Sequence, residues 1–387
     1  MTNEKPKKTR LFFIDNLRTL LTVVVVLHHL AIVYGASGDF PYKEARPDDL
    51  ASIVLTLFTA VNAPYFMGFF FMISGYFVPG SYDRKGIGLF LKDRLLRLGV
   101  PVLFYILVIH PLLHYALAVN VYGFDGSFWT FFVRHIRGYS DYGLGVGPMW
   151  FIVVLLIFSI VYGLWRRLAN PATDYPHSDS KTPGNMAIAI FALGLGLVTW
   201  VVRIWYPIDR WVTILLMPVE IAHLPQYIIL FVIGIIAYRR NWFLGISDAV
   251  GKVWLGIAII CIVLLPIIFV AGGALEGKVD PFKGGVQWQA VVTAFWEAFL
   301  CLGMVVGLLV LFRKRFNQQG TLAKAMSAGA YTVYIIHQPV LIFLGLVLSG
   351  IRLPHLLKFA LVAPVAVALC FLLSNYIRKL PLARSIL

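Results

Sequence analysis

The sequence predicts an all-α protein, a polytopic transmembrane bundle of about ten spanning helices with both termini cytoplasmic. Three observations predict it. Of 387 residues, 60% are hydrophobic and 13% charged, with a mean hydropathy of +0.82, whereas soluble domains are about half apolar. The apolar residues fall in runs near the ~20-residue length that crosses a bilayer core as a helix. Lys and Arg are distributed unevenly between the runs. Of 33, 22 lie on the side of the N-terminus and nine on the other, with Arg18 and Arg203 inside spans. Cytoplasmic loops carry the excess of cations, so the N-terminal side is assigned to the cytoplasm and the number of spans is even. The net charge of +15 is then a topology signal. A nucleic-acid surface would need a solvated basic face, and here the cations sit between hydrophobic runs.

In chain order, residues 1–10 read as a basic cytoplasmic tail with no small-residue cleavage site near its end. Residues 11–378 read as one transmembrane domain, and 379–387 as a second short cytoplasmic tail. The first span is Leu11–Tyr34, followed by an acidic loop with Asp39, Glu44, Asp48 and Asp49. The second runs from about Ala51 to Val78 and is followed by five basic residues. The third is Val100–Val119, leading to SFWTFFVRHIRG, which has the pattern of an interfacial amphipathic helix. Met149–Trp165 is the fourth, and Arg166-Arg167 closes it. Residues Asn170–Asn185, rich in Pro, Ser and Asp, read as a linker. Met186–Tyr206, Tyr227–Tyr238, Trp254–Val270, Ala290–Phe312, Ala330–Leu348 and Leu356–Ile377 complete the set. No internal repeat is detectable, which disfavours an inverted-repeat transporter.

Ionisable side chains inside spans are costly and mark function by default. The first span carries Asp15, Arg18, His28 and His29. Arg18 and His29 are eleven residues apart, three turns plus roughly 20°, so they share one face about 16 Å apart along the axis. Asp15 and Thr22 extend that stripe, and His28 points about 100° away. His29 is therefore the stronger catalytic candidate, and His28 is assigned to a neighbouring helix or the interface. Arg94 and Arg97, three apart before Pro101, could bind phosphate as guanidinium forks or answer only to topology and anionic lipid headgroups. Ser74, Gly75 and Tyr76 end the second span, where small residues also serve helix packing. Tyr331, Tyr334 and His337 share a late stripe with functional and structural readings both open. Glu297 is the one acid deep in a span besides Asp15, and Arg203 is its potential ion-pair partner. His110, His114 and His135 are assigned to outer boundaries. Cys261, Cys301 and Cys370 read as small hydrophobes, and no ligand spacing suggests a metal. These residues alone leave two classes open: a membrane enzyme, or a transporter or channel relaying protons along Asp15, Arg18 and His29.

The stretches FFIDNLRTLLTVVVVLHH, FFFMISGYF, FLKDRLLRLGVP and AYTVYIIHQPV, in that order, resemble the four motifs of the acyltransferase-3 family of integral membrane O-acyltransferases. The likeness runs from Phe12 to about Val340. GPMWFIVVLL, around Trp150, and LPQYIILFVIGIIAYRRNW look most like the branch with glucan-succinylating members. The resemblance implies a bacterial inner-membrane enzyme that moves an acetyl or succinyl group from cytoplasmic acyl-CoA to a hydroxyl of a carbohydrate or other acceptor. Acyl-CoA would be a co-substrate, with no metal, and membrane lipids the surroundings. It implies His29 as general base, with Asp15 and Arg18 holding the stripe or contacting the donor. Arg94 and Arg97, with Ser74 and Tyr76, would bind the donor, and His337, Tyr334, Trp150 and Glu297 are further candidates.

Overall fold

The computed structural model describes residues 10–45, 47–137, 145–169, 181–214 and 217–386. Residues 1–9 of the basic tail, 170–180 of the linker, and Leu387 lie outside the described residues. The chain is helical almost throughout: α1 (Phe12–Val33), α2 (Asp49–Asn62), α3 (Phe66–Arg94), α4 (Val100–Phe104), α5 (His110–Asn120), α6 (Phe128–Ile136) and α7 (Trp150–Ala169) form the first half. α8 (Asn185–Trp205), α9 (Leu224–Arg239), α10 (Trp242–Gly245), α11 (Asp248–Ala271), α12 (Trp288–Arg315), α13 (Thr321–Leu348), α14 (His355–Ile377) and α15 (Pro381–Ile386) form the second. One antiparallel hairpin, β1 (Trp211–Ile214) and β2 (Met217–Glu220), precedes α9.

Among the described residues, nine stretches are long and apolar enough to cross a membrane. One of them, Asp49–Asn120, has 72 residues, far more than the ~20 that one crossing needs. It turns back at Gly86 (φ 67°, ψ 171°). Before that residue, Phe71 packs on Phe151 and Phe158 and Asp83 bonds Arg166, so α3 runs parallel to α7. After it, Phe90 and Leu91 lie beside Gly163, and Gly99 beside Leu156, so the chain runs antiparallel to α7. The stretch thus crosses twice. Gly86 takes a conformation essentially closed to residues with a Cβ, although nothing stands within 4 Å of where one would go. Gly86→Ala is therefore expected to destabilise the protein by about 1–3 kcal/mol through backbone strain. Gly88→Ala, equally uncrowded and at ordinary φ, is the control. Thermal unfolding in detergent compares the two.

Packing sorts the helices into an inner and an outer set. In the apolar windows, 56% of α1, 61% of α12 and 56% of α13 is buried inside the protein, against 22% of α11 and α14. The outer helices present stripes such as Ile259, Val263 and Ile267 to the surroundings, as lipid-facing surfaces do. α1 lies against α2, α3, α12, α13 and α14, which puts its costly polar residues at the centre of the bundle. α3 and α9 cross closely through Gly75 and Gly234, where any side chain would strike the Phe231 and Met72 carbonyls respectively.

Two local devices position the site. Pro101 has no N–H to offer the carbonyl one turn before it, and π-helical turns flank α4 at Leu95–Gly99 and Tyr105–Ile109. The Arg97 oxygen instead accepts the Tyr331 hydroxyl of α13 at 2.8 Å. On the opposite side, Lys358 donates to Glu44 at 2.6 and 2.8 Å, and to the Leu348 and Ile351 carbonyls. That ammonium ties the loop after α1 to α14.

Candidate active site

A cavity of about 400 Å³ lies between α1, α3, α7 and α13 on the side that holds both described chain ends, since Arg10 and Ile386 border it together. The polar stripe of α1 supplies Asp15, Arg18 and Thr22, α3 supplies Ser74 and Arg94, Arg97 comes from the π turn, and α13 supplies Tyr331 and Tyr334. Arg10 bonds Asp15 at 2.7 Å, and Arg18 stands 3.9 Å from the same carboxylate. Thr22 returns its hydroxyl to the Arg18 carbonyl at 2.9 Å, which fixes its rotamer. Arg97 pairs with Asp93 at 3.2 Å. Arg94 is within ion-pair distance of no carboxylate among the described residues, and its buried Nε has no hydrogen-bond partner. Four guanidinium groups thus face one lining carboxylate, Asp15, and that surplus favours an anion. A second cavity of about 270 Å³ adjoins the first and shares Phe77, Arg94 and Arg97 with it.

His29 lines neither cavity. It stands seven residues beyond Thr22, about 10 Å further along α1. There its ring meets that of His337 at 4.9 Å between centroids, with Phe40 at 5.3 Å and His28 at 5.4 Å. Nδ1 of His29 donates to the Val25 carbonyl at 2.9 Å, and Nδ1 of His337 to that of Tyr334 at 2.6 Å. A carbonyl can only accept, so both Nδ1 atoms carry hydrogen, and in the neutral form of each ring Nε2 is the atom with the lone pair. Nε2 of His337 is buried with no partner. Two parallel rails therefore run from the charged cavity to the imidazole pair: Arg18, Thr22 and His29 on α1, and Tyr331, Tyr334 and His337 on α13.

The remaining candidates lie elsewhere. Tyr76 does not reach the cavity that Ser74 lines: its ring stacks on Phe243 of α10 at 4.1 Å and meets Tyr238 of α9 edge-on, because residues two apart on a helix point about 200° from each other. Trp150 packs on Tyr227 and Phe71, and the next residue, Phe151, lines the cavity instead. Glu297 holds Arg203 in a two-pronged pair at 2.9 and 2.7 Å, and Arg203 also donates to His223 at 3.1 Å. His28 stacks on Phe66 of α3. The histidines assigned to outer boundaries are buried together: Nδ1 of His110 lies 3.1 Å from Nε2 of His135, and the His110 and His114 rings 4.1 Å apart. Reasoning from sequence missed Arg10, whose signal was a cation five residues before Asp15. It also missed Phe40, a loop residue with no signal at all.

The fold and the site define a multi-pass integral membrane protein with an anion-receptive cavity on one side of a pair of imidazoles, His29 and His337, that do not line it. The chain belongs to the acyltransferase-3 family: the family model described as "Acyltransferase domain" matches residues 11–375, and the protein is an acyltransferase. It is similar to "Glucans biosynthesis protein C" of Escherichia coli O139:H28 (strain E24377A / ETEC) and of O17:K52:H18 (strain UMN026 / ExPEC). Each is 21% identical over 357 residues, covering 90% of this chain and 85% of the relative. No solved structure matches.

Proposed function

We propose that the protein transfers an acetyl or succinyl group from cytoplasmic acyl-CoA to a hydroxyl of a carbohydrate acceptor on the far side of the membrane, with His29 as general base. The observation that carries this reading is the charged cavity lined by Arg18 and Thr22 of α1 and Tyr331 and Tyr334 of α13, with the paired rings of His29 and His337 next along the same two helices. The guanidinium groups bind the donor's phosphates, which leaves its thioester arm to extend along the rails. His29 takes the acceptor's hydroxyl proton as the oxygen attacks the thioester carbonyl; the C–S bond breaks, and the thiolate leaves with that proton. The excess of Lys and Arg on the cavity side supports a cytoplasmic donor. His29, some 27 Å beyond Leu11 along α1, supports transfer near the opposite face of a ~30 Å core. The relatives' name, which refers to glucan biosynthesis, supports a carbohydrate acceptor, and their source supports a bacterial inner membrane. Asp15 holds Arg10 and Arg18 in the cavity, and Ser74 offers a hydroxyl there.

Membranes containing the protein, given acetyl- or succinyl-CoA labelled in the acyl group, are expected to release CoA and to move label into a carbohydrate fraction. Uptake or efflux of solute without thioester consumption would support a transporter instead. Within this reading, Arg94→Gln is expected to raise KM for acyl-CoA about 10- to 100-fold, the value of one or two charge-assisted bonds, while kcat changes less. Initial rates against donor concentration measure the split.

A further inference from the structure

We infer that the second cavity is a subsite for a phosphate monoester carried by the donor nucleotide, separate from the diphosphate held at Arg94 and Arg97. This deepens the acyl-CoA reading above and rests on it. The cavity is made by the reversal at Gly86. Arg84 and Lys85 come from the arm before it and Arg94 and Arg97 from the arm after it, and Lys85 reaches Asp93 across the bend at 2.9 Å. Four cations therefore surround about 270 Å³ with a single acid, and that acid is already engaged by Lys85 and by Arg97 at 3.2 Å. Ser81 and Tyr238 line the same space, and each carries a hydroxyl that can donate.

Position assigns the two cavities to different parts of one ligand. Arg94 and Arg97 border both, so a diphosphate held there lies on the boundary. The thioester arm must enter the larger cavity, because only that one is lined by the rails leading to His29. The nucleoside end is then directed to the smaller cavity, where Phe77 offers a half-exposed ring to a base. A second phosphate on that nucleoside meets Arg84 and Lys85. CoA carries such a monoester on its ribose, and 3′-dephospho-CoA is the same molecule without it. An anionic lipid headgroup would satisfy the same cations, so the test separates the two sources.

Calorimetry on the full chain in phosphatidylcholine nanodiscs, with CoA and 3′-dephospho-CoA as probes, reads the effect. Wild type is expected to bind CoA about 10- to 100-fold more tightly than the dephospho form, and Arg84→Gln/Lys85→Gln to bring the two affinities together. The same ratio is expected in nanodiscs containing phosphatidylglycerol. Equal affinities in wild type, or an undiminished ratio in the double variant, would overturn the subsite and leave the acyl-CoA reading standing. A ratio that collapses in phosphatidylglycerol, with that lipid retained by wild type and lost by the variant in native mass spectrometry, would assign the cavity to lipid and overturn it too. Failure to bind either probe would take down both readings together.

Discussion

His29→Gln is expected to lower acyl transfer by about 10²–10⁴-fold, the usual contribution of a positioned general base. The substitution keeps a polar side chain of similar reach, so α1 and its neighbours should hold their packing. KM for the donor is expected to move little, because His29 borders neither charged cavity. The loss therefore falls on kcat. Turnover of labelled acyl-CoA, measured beside expression level and thermal stability, separates lost chemistry from lost fold. A well-folded variant with undiminished turnover would remove the imidazole from the mechanism. The bond from Nδ1 to the Val25 carbonyl at 2.9 Å is what, in the proposed reaction, leaves Nε2 of the neutral ring to act as the base. A side chain without that lone pair cannot take the acceptor's proton.

Glu297→Ala is expected to cost about 3–5 kcal/mol of stability, a large share of what a folded protein has to lose. Arg203 is 1% exposed, and Glu297 holds it through both carboxylate oxygens. Removing the acid leaves an uncompensated guanidinium among apolar helices, with His223 as its one remaining side-chain acceptor among the described residues. The double variant Arg203→Met/Glu297→Leu removes both charges and is expected to recover most of the loss, since well-packed apolar replacements of buried pairs are often neutral. Thermal unfolding of the two singles and the double in one detergent reads the cycle. If the double variant falls as far as the singles, the pair does more than neutralise itself. Acyl transfer by the double, once stable, then tells whether Glu297 has a part in the reaction.

Hydropathy and helical pitch are local properties, and what depends on them was legible in the chain. The spans, the polar face shared by Asp15, Arg18 and Thr22, and the turn-to-turn stripe of Tyr331, Tyr334 and His337 all follow from 1.5 Å and 100° per residue. So does the nearness of Arg94 to Arg97. Pitch tells which residues share a face but not what that face meets. Gly75 announces close packing, yet only the crossing with Gly234 shows that Tyr76 belongs to the seam and Ser74 to the cavity. His110, His114 and His135 read singly as boundary residues because nothing local says that α6 folds back onto α5 to bury them.

Composition and helical pitch alone specify a helical membrane protein and a first helix whose polar stripe has to face protein rather than lipid. Packing of the helices brings together residues that the chain keeps apart: His337 against His29 across 308 positions, Tyr331 on the Arg97 carbonyl, and Lys85 on Asp93 across the Gly86 reversal. The physical reason is that each of these contacts is set by how rigid helices pack and where the chain bends. Residues far apart in sequence, or split by one glycine, carry no common periodicity to reveal that they meet.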